Sequence, residues 1–151
     1  MYMGCKREDK KGIQVRLMSD DILMKPDLQF SIVCDSIRRE DNGKMMFIGI
    51  FEVIGAKKFP AKHHELFIAN KWIKGTGAFK EKTRIMNLKD NKIIFETKEV
   101  NFELKNLEAA HTVISKFVNV VFPEPGKYQV EVLLNSETVR YYPIILVENR
   151  R

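Results

Sequence analysis

The stretch Val120–Leu134 constrains this chain more than any other. A β-branched run, Val120-Val121-Phe122, stops at Pro123-Glu124-Pro125-Gly126, and an alternating segment restarts at Lys127. Each proline lacks a ladder donor and fixes φ, so the first strand cannot run on through them. Gly126 can take the positive φ that a tight reversal needs. Beyond it, Tyr128, Val130, Val132 and Leu134 fall on one face and Lys127, Gln129 and Glu131 on the other, the period of a half-buried strand. Two strands joined by a turn that no helix can cross predict an antiparallel β architecture.

The bulk properties are those of one ordinary domain. The 151 residues suffice for a single substantial core, and the hydrophobic (44%) and charged (30%) fractions are unremarkable. No apolar run approaches the roughly 18 residues of a membrane span. The start of the chain has no apolar core of the kind a signal peptide needs. Cys5 and Cys34 are the two cysteines, one in an expected tail and one in an expected strand, so a reducing cytoplasmic compartment is the simplest expectation. The net charge of +6 is unevenly spread: residues 57–92 hold ten Lys/Arg and three Asp/Glu, residues 93–149 five and eight. Such asymmetry fits an anionic partner, head-to-tail self-association or plain solubility.

Residues 1–26 read as an extension. Lys6-Arg7-Glu8-Asp9-Lys10-Lys11 has no apolar partner and is expected to be partly disordered, with one short strand over Ile13, Val15 and Leu17. The domain is expected over 27–149. Leu28, Phe30, Ile32 and Cys34 alternate with polar neighbours and predict a strand with those four on its buried face. Asn42-Gly43 predicts a hairpin turn. The returning segment 44–54 is apolar on both sides, which predicts a central strand, and Gly49 within it predicts a bulge or a close backbone approach. Further strands are expected at 66–73 and 82–88, and one strand or a pair of strands over Ile93-Ile94-Phe95 and Val100, Phe102 and Leu104. The stretch 107–121 fits a helical stripe but is rich in Thr, Val and Ile, which favours a strand. A last hairpin turns at Asn135-Ser136-Glu137, and Pro143 in its second strand predicts an edge or a bulge. Seven or eight strands without a long helix predict an all-β fold of two antiparallel sheets packed face to face.

Gly126-x-Tyr128-x-Val130 has the spacing of the tyrosine corner of immunoglobulin-like sandwiches, in which the phenol bonds back to the turn backbone. Phe122, Pro123, Pro125, Gly126 and Tyr128 are therefore candidate structural corner residues, and Val130 stands where antibody domains carry a cysteine. With Gly43-Lys44-x-x-x-Ile48-Gly49-Ile50-Phe51 and Phe59-Pro60-Ala61, the Phe122-Pro123-Glu124-Pro125-Gly126-x-Tyr128 motif resembles a family of small bacterial proteins of unknown function with an immunoglobulin-like sandwich. The resemblance covers 27–147 and implies a fold but no activity.

Chemistry-bearing constellations are weak. His63 and His64 are adjacent, so on an extended chain they point to opposite sides and rarely share an ion. Cys34 alternates with apolar residues and reads as a small hydrophobe. Glu96, Glu99 and Glu103 read as a solvated face, and Gly75-Thr76-Gly77 lacks the Gly-Lys-Ser/Thr of a phosphate loop. No catalytic set, metal site or cofactor is expected, and no membrane partner. Lys57, Lys58, Lys62, Lys71, Lys74, Lys80, Lys82 and Arg84, interleaved with Trp72, form a candidate binding surface, because cations beside rings serve single-stranded nucleic acid. The leading expectation is a non-catalytic sandwich module acting through protein–protein contact or self-association. The alternative is a nucleic-acid-binding module that uses the lysine-rich segment.

Overall fold

The computed structural model describes residues 23–149. Most of the expected extension, including the segment around Ile13, Val15 and Leu17, and Cys5, lies outside the described residues. Within them the chain is all-β. The ten strands of the described residues are β1 (Asp27–Arg39), β2 (Met45–Ile50), β3 (Val53–Ala56), β4 (Ala61–Ile73), β5 (Gly77–Asn87), β6 (Lys92–Glu96), β7 (Val100–Leu104), β8 (Ala110–Phe122), β9 (Gly126–Leu134) and β10 (Glu137–Glu148). A four-stranded sheet runs β2-β1-β4-β8. A six-stranded sheet runs β3-β10-β9-β5-β6, with β7 on the same side of β5 beyond β6. The pairings are antiparallel except that of β3 with β10. The stretch that fitted both helix and strand is β8, as its β-branched content favoured.

The count exceeds the expected seven or eight for two reasons. Segment 44–54 is not one central strand. It splits at Phe51-Glu52 into β2, an edge of the four-stranded sheet, and β3, which crosses to lie beside β10. Its apolar character on both sides serves two sheets rather than one doubly buried strand, and Ile48 and Ile50 remain exposed. Residues 92–104 likewise give two strands laid along successive halves of β5. Gly49 marks a close approach of a side chain, not the bulge or the close backbone approach expected. Its φ is +70° and the Asp35 carboxylate lies 2.5 Å from where a Cβ would stand.

The expected facing of β1 is also corrected. A bulge between Leu28 and Phe30 inserts one extra residue, and a one-residue slip reverses every side chain after it. Leu28 is in the core. After the bulge it is Ser31 and Val33 that point inward, while Phe30, Ile32 and Cys34 take the outer face opposite Lys71, Ala69 and Phe67. Pro143 falls on the part of β10 that β3 does not reach, so its missing donor costs no ladder bond on that side.

Two apolar clusters fill the space between the sheets. One joins Leu66, Ile68, Ile85, Phe117, Phe122, Tyr128, Ile144 and their neighbours. The other joins Trp72, Phe79, Phe102, Leu104, Val113, Val132 and Leu134. The corner closes the first: the Tyr128 hydroxyl donates to Glu124 O at 2.7 Å and accepts from Glu124 N–H at 3.2 Å. The Tyr128 ring meets Phe122 edge-on at 5.0 Å. Met24 and Thr76 exchange two backbone bonds of 2.9 Å, which fastens the start of the described chain to the β4–β5 turn.

Candidate interaction surfaces

The outer face of the six-stranded sheet is charged because β5 alternates strictly. Phe79, Glu81, Thr83 and Ile85 point inward, and Lys80, Lys82 and Arg84 point outward. Carboxylates from adjacent strands answer these cations. Arg84 donates to Glu131 Oε1 through Nε and Nη2, both at 2.9 Å, and Lys82 lies 3.9 Å from Glu96. Lys80, Lys82 and Arg84 line a cavity of about 180 Å³ with Glu99, Leu133 and Ser136.

The structure does not gather the rest of the lysine-rich segment there. Lys71 lies on the opposite outer face, paired across from Phe30. Lys74 sits in the β4–β5 turn with φ +60°, Lys57 and Lys58 lie between β3 and β4, and Lys62 is at the start of β4. Trp72 is corrected from a surface candidate to a core residue. It is fully buried, and its ring stacks on Phe102 at 5.7 Å while its indole N–H donates to Glu81. The ring therefore offers no face to a base. His63 packs near Phe51 and His64 is exposed. Among the described residues no three His, Cys, Asp or Glu come together to hold a metal ion.

The outer face of the four-stranded sheet is of another kind. The register places Ile48 and Ile50 of β2, Phe30, Ile32 and Cys34 of β1, Phe67 and Ala69 of β4, and Ile114 and Val118 of β8 on one side. In its middle Cys34 and Ala69 are fully buried. Burial pushes the Cys34 thiol above its ordinary pKa, which disfavours the thiolate. Its margins stay open: Ile50 is 57% exposed and Val118 45%. Among the described residues an ion pair stands in this field, Lys116 to Glu65 at 2.9 Å, with the ammonium 5.9 Å from the Phe67 ring centroid. Exposed apolar side chains gathered on one sheet face mark an interaction site more often than singly scattered ones do.

The most unusual polar group escaped the sequence analysis. Glu81 is buried between the two apolar clusters. It accepts from Trp72 Nε1 at 2.5 Å, Asn70 Nδ2 at 3.0 Å and Thr83 Oγ1 at 3.3 Å. Burial holds its carboxyl above the ordinary range, and the bonds from Trp72, Asn70 and Thr83 oppose that rise. Asn70 Oδ1 is buried without a partner. The signal was present, since Glu81 shares the parity of Phe79 and Ile85 and so falls on a core position. Asn70 and Trp72 come from one sheet and Glu81 from the other, so the network ties the layers together.

A model of a family of unknown function, DUF6941, matches residues 29–147, from β1 through β10. The chain belongs to that family. No curated protein matches it. Among solved structures it is similar to the Pseudomonas fluorescens alkylpurine DNA glycosylase AlkC bound to DNA containing an abasic site analog, with TM-score 0.47 and 15% identity over 64% of this chain. It is also similar to a β-glucosidase from Listeria innocua, with TM-score 0.45 and 11% identity over 81% of this chain. The chain spans 28% and 16% of the lengths of those two proteins. No helix among the described residues is long and apolar enough to cross a membrane.

Proposed function

We propose that this member of the family is a non-catalytic interaction module on an immunoglobulin-like sandwich, and that it binds protein through the outer face of its four-stranded sheet. The observation that carries this is the pair of exposed apolar margins on that face, Ile48 and Ile50 on β2 and Ile114 and Val118 on β8, against a mostly ion-paired face on the other sheet. The immunoglobulin-like frame is supported by the phenol-to-turn bonds of Tyr128 and by β3 running parallel to the last strand.

A photoreactive side chain at position 118, compared with one at position 129 on the opposite face, tests the surface in extracts and with purified protein. Protein adducts from 118 and not from 129 are expected. Adducts from 129 alone, or from neither, overturn it. Nucleic-acid binding is the second reading, now narrowed to the Lys80, Lys82 and Arg84 cavity. Salt-dependent binding of an oligonucleotide that Lys80→Glu with Lys82→Glu abolishes would favour it.

A further inference from the structure

The partner of the apolar face can be read from the Glu65–Lys116 ion pair on it, an inference that rests on the proposed interaction surface. We infer that the face binds a second copy of this chain across a two-fold axis, with Glu65 of each protomer reaching Lys116 of the other. An isologous contact sets a patch against itself, so the patch must be complementary to itself. A face bearing only cations would repel its copy, and this one does not. Glu65 and Lys116 stand side by side on β4 and β8, 40% and 53% exposed, with opposite sign and apolar residues around them. A two-fold beside them sets acid against base twice.

The margins fit the same occupant. Ile114 and Val118 share the outer side of β8 with Lys116, and all three stay exposed. Strands about 4.8 Å apart, rising about 3.3 Å per residue, make a face of roughly 20 by 25 Å, about 500 Å² in projection, which puts a dimer contact below the ~800 Å² per partner of a standard interface and among the smaller specific ones. Sheet faces pack on one another at about 10 Å when their side chains interdigitate, as the inner faces of a sandwich do.

The test is sedimentation of the full chain over a wide range of concentration, for the natural protein, Glu65→Lys, Lys116→Glu and a one-to-one mixture of the two variants. The natural protein should be a dimer. Each variant alone presents like charges to its copy and should associate about 100-fold more weakly. In the mixture one chain offers two cations and the other two carboxylates, so a one-to-one heterodimer should return. The pair within one chain is lost in both variants and mixing cannot restore it, so a purely structural role predicts no recovery. Melting curves of both variants check that they are folded, and Gln129→Lys on the opposite face should leave association unchanged. A natural protein that stays monomeric at the highest concentration sinks the second copy, while adducts from position 118 would still uphold the surface. Dimers indifferent to either substitution, or a mixture that does not reassociate, also overturn the proposal.

Discussion

Along β4 the inward side chains run Leu66, Ile68, Asn70, Trp72, and along β5 they run Ile85, Thr83, Glu81, Phe79 past them. The first part of each list belongs to an interior closed by Phe117, Phe122 and Tyr128, where hydrocarbon and rings do the packing. The rest crosses a polar belt before it reaches the Trp72 and Phe102 cluster. The belt extends beyond Glu81. Ser31 of β1 meets the Tyr142 hydroxyl of β10 at 2.8 Å, and burial pushes that phenol up to about 12. Apolar burial is non-directional and tolerates sliding, whereas a buried hydrogen-bonded group has one good geometry and a high cost elsewhere. We read the apolar end as the source of stability and the belt as what fixes the register of one sheet on the other.

The largest break in this comparison comes at the apolar end. Phe117 is fully buried, with its ring 4.8 Å from that of Phe95 in the facing sheet. Phe117→Ala should cost about 3–5 kcal/mol, by lost transfer energy and the cavity left behind. Urea denaturation at several pH values should show that loss undiminished from acid to neutral. A loss that varied strongly with pH would mean the two ends are not separable.

The belt should respond to pH instead. A carboxyl whose folded pKa lies above its unfolded value binds more protons when folded. Glu81 thus contributes stability that is fully present below its ordinary value of 4.5 and is lost as pH rises through the higher folded value. The slope is at most about 1.4 kcal/mol per pH unit for one proton. Glu81→Gln is uncharged at every pH. The variant should match the natural protein in acid and exceed it at neutral pH, as followed by urea midpoints across the range. Parallel curves for the two proteins would mean that Glu81 stays ionised in the fold.

The difference between the ends also explains what the sequence could reveal. Alternation and turn chemistry made the β9 strand, the Asn42-Gly43 and Asn135-Ser136 hairpins and the Tyr128 corner legible, because each depends on residues close in the chain. The facing of β1 was not legible, since the bulge at Leu28–Phe30 is decided by pairing with β4, some forty residues away. The splitting of 44–54 was hidden for a similar reason: an apolar strand reads alike whether it is doubly buried or shared between two sheets. The lysines of 57–92 looked like one surface because they are near in sequence, yet strand alternation and the β4–β5 turn send Lys71 and Lys82 to opposite sides of the molecule. The apolar outer face draws on four strands and appears only once the register is known.

The smallest effect sharpens the contrast at the corner. Tyr128→Phe keeps the ring against Phe122 and removes only the hydroxyl that holds both backbone groups of Glu124. The turn has other ties, since Asn87 Nδ2 donates to Glu124 Oε1 at 3.3 Å and Lys89 lies 3.2 Å from Oε2. The freed groups sit in a turn whose prolines are exposed, so water can replace part of what is lost. The cost should be about 0.5–1.5 kcal/mol, that of an ordinary net hydrogen bond. Because burial already raises the Tyr128 phenol, its titration lies well above neutral pH, and the loss should stay constant from acid to neutral. A denaturation curve that does not move would show that the corner is held by its prolines and by Glu124 alone. A loss as large as that of Phe117→Ala would show that the phenol, rather than the rings around it, closes the apolar end.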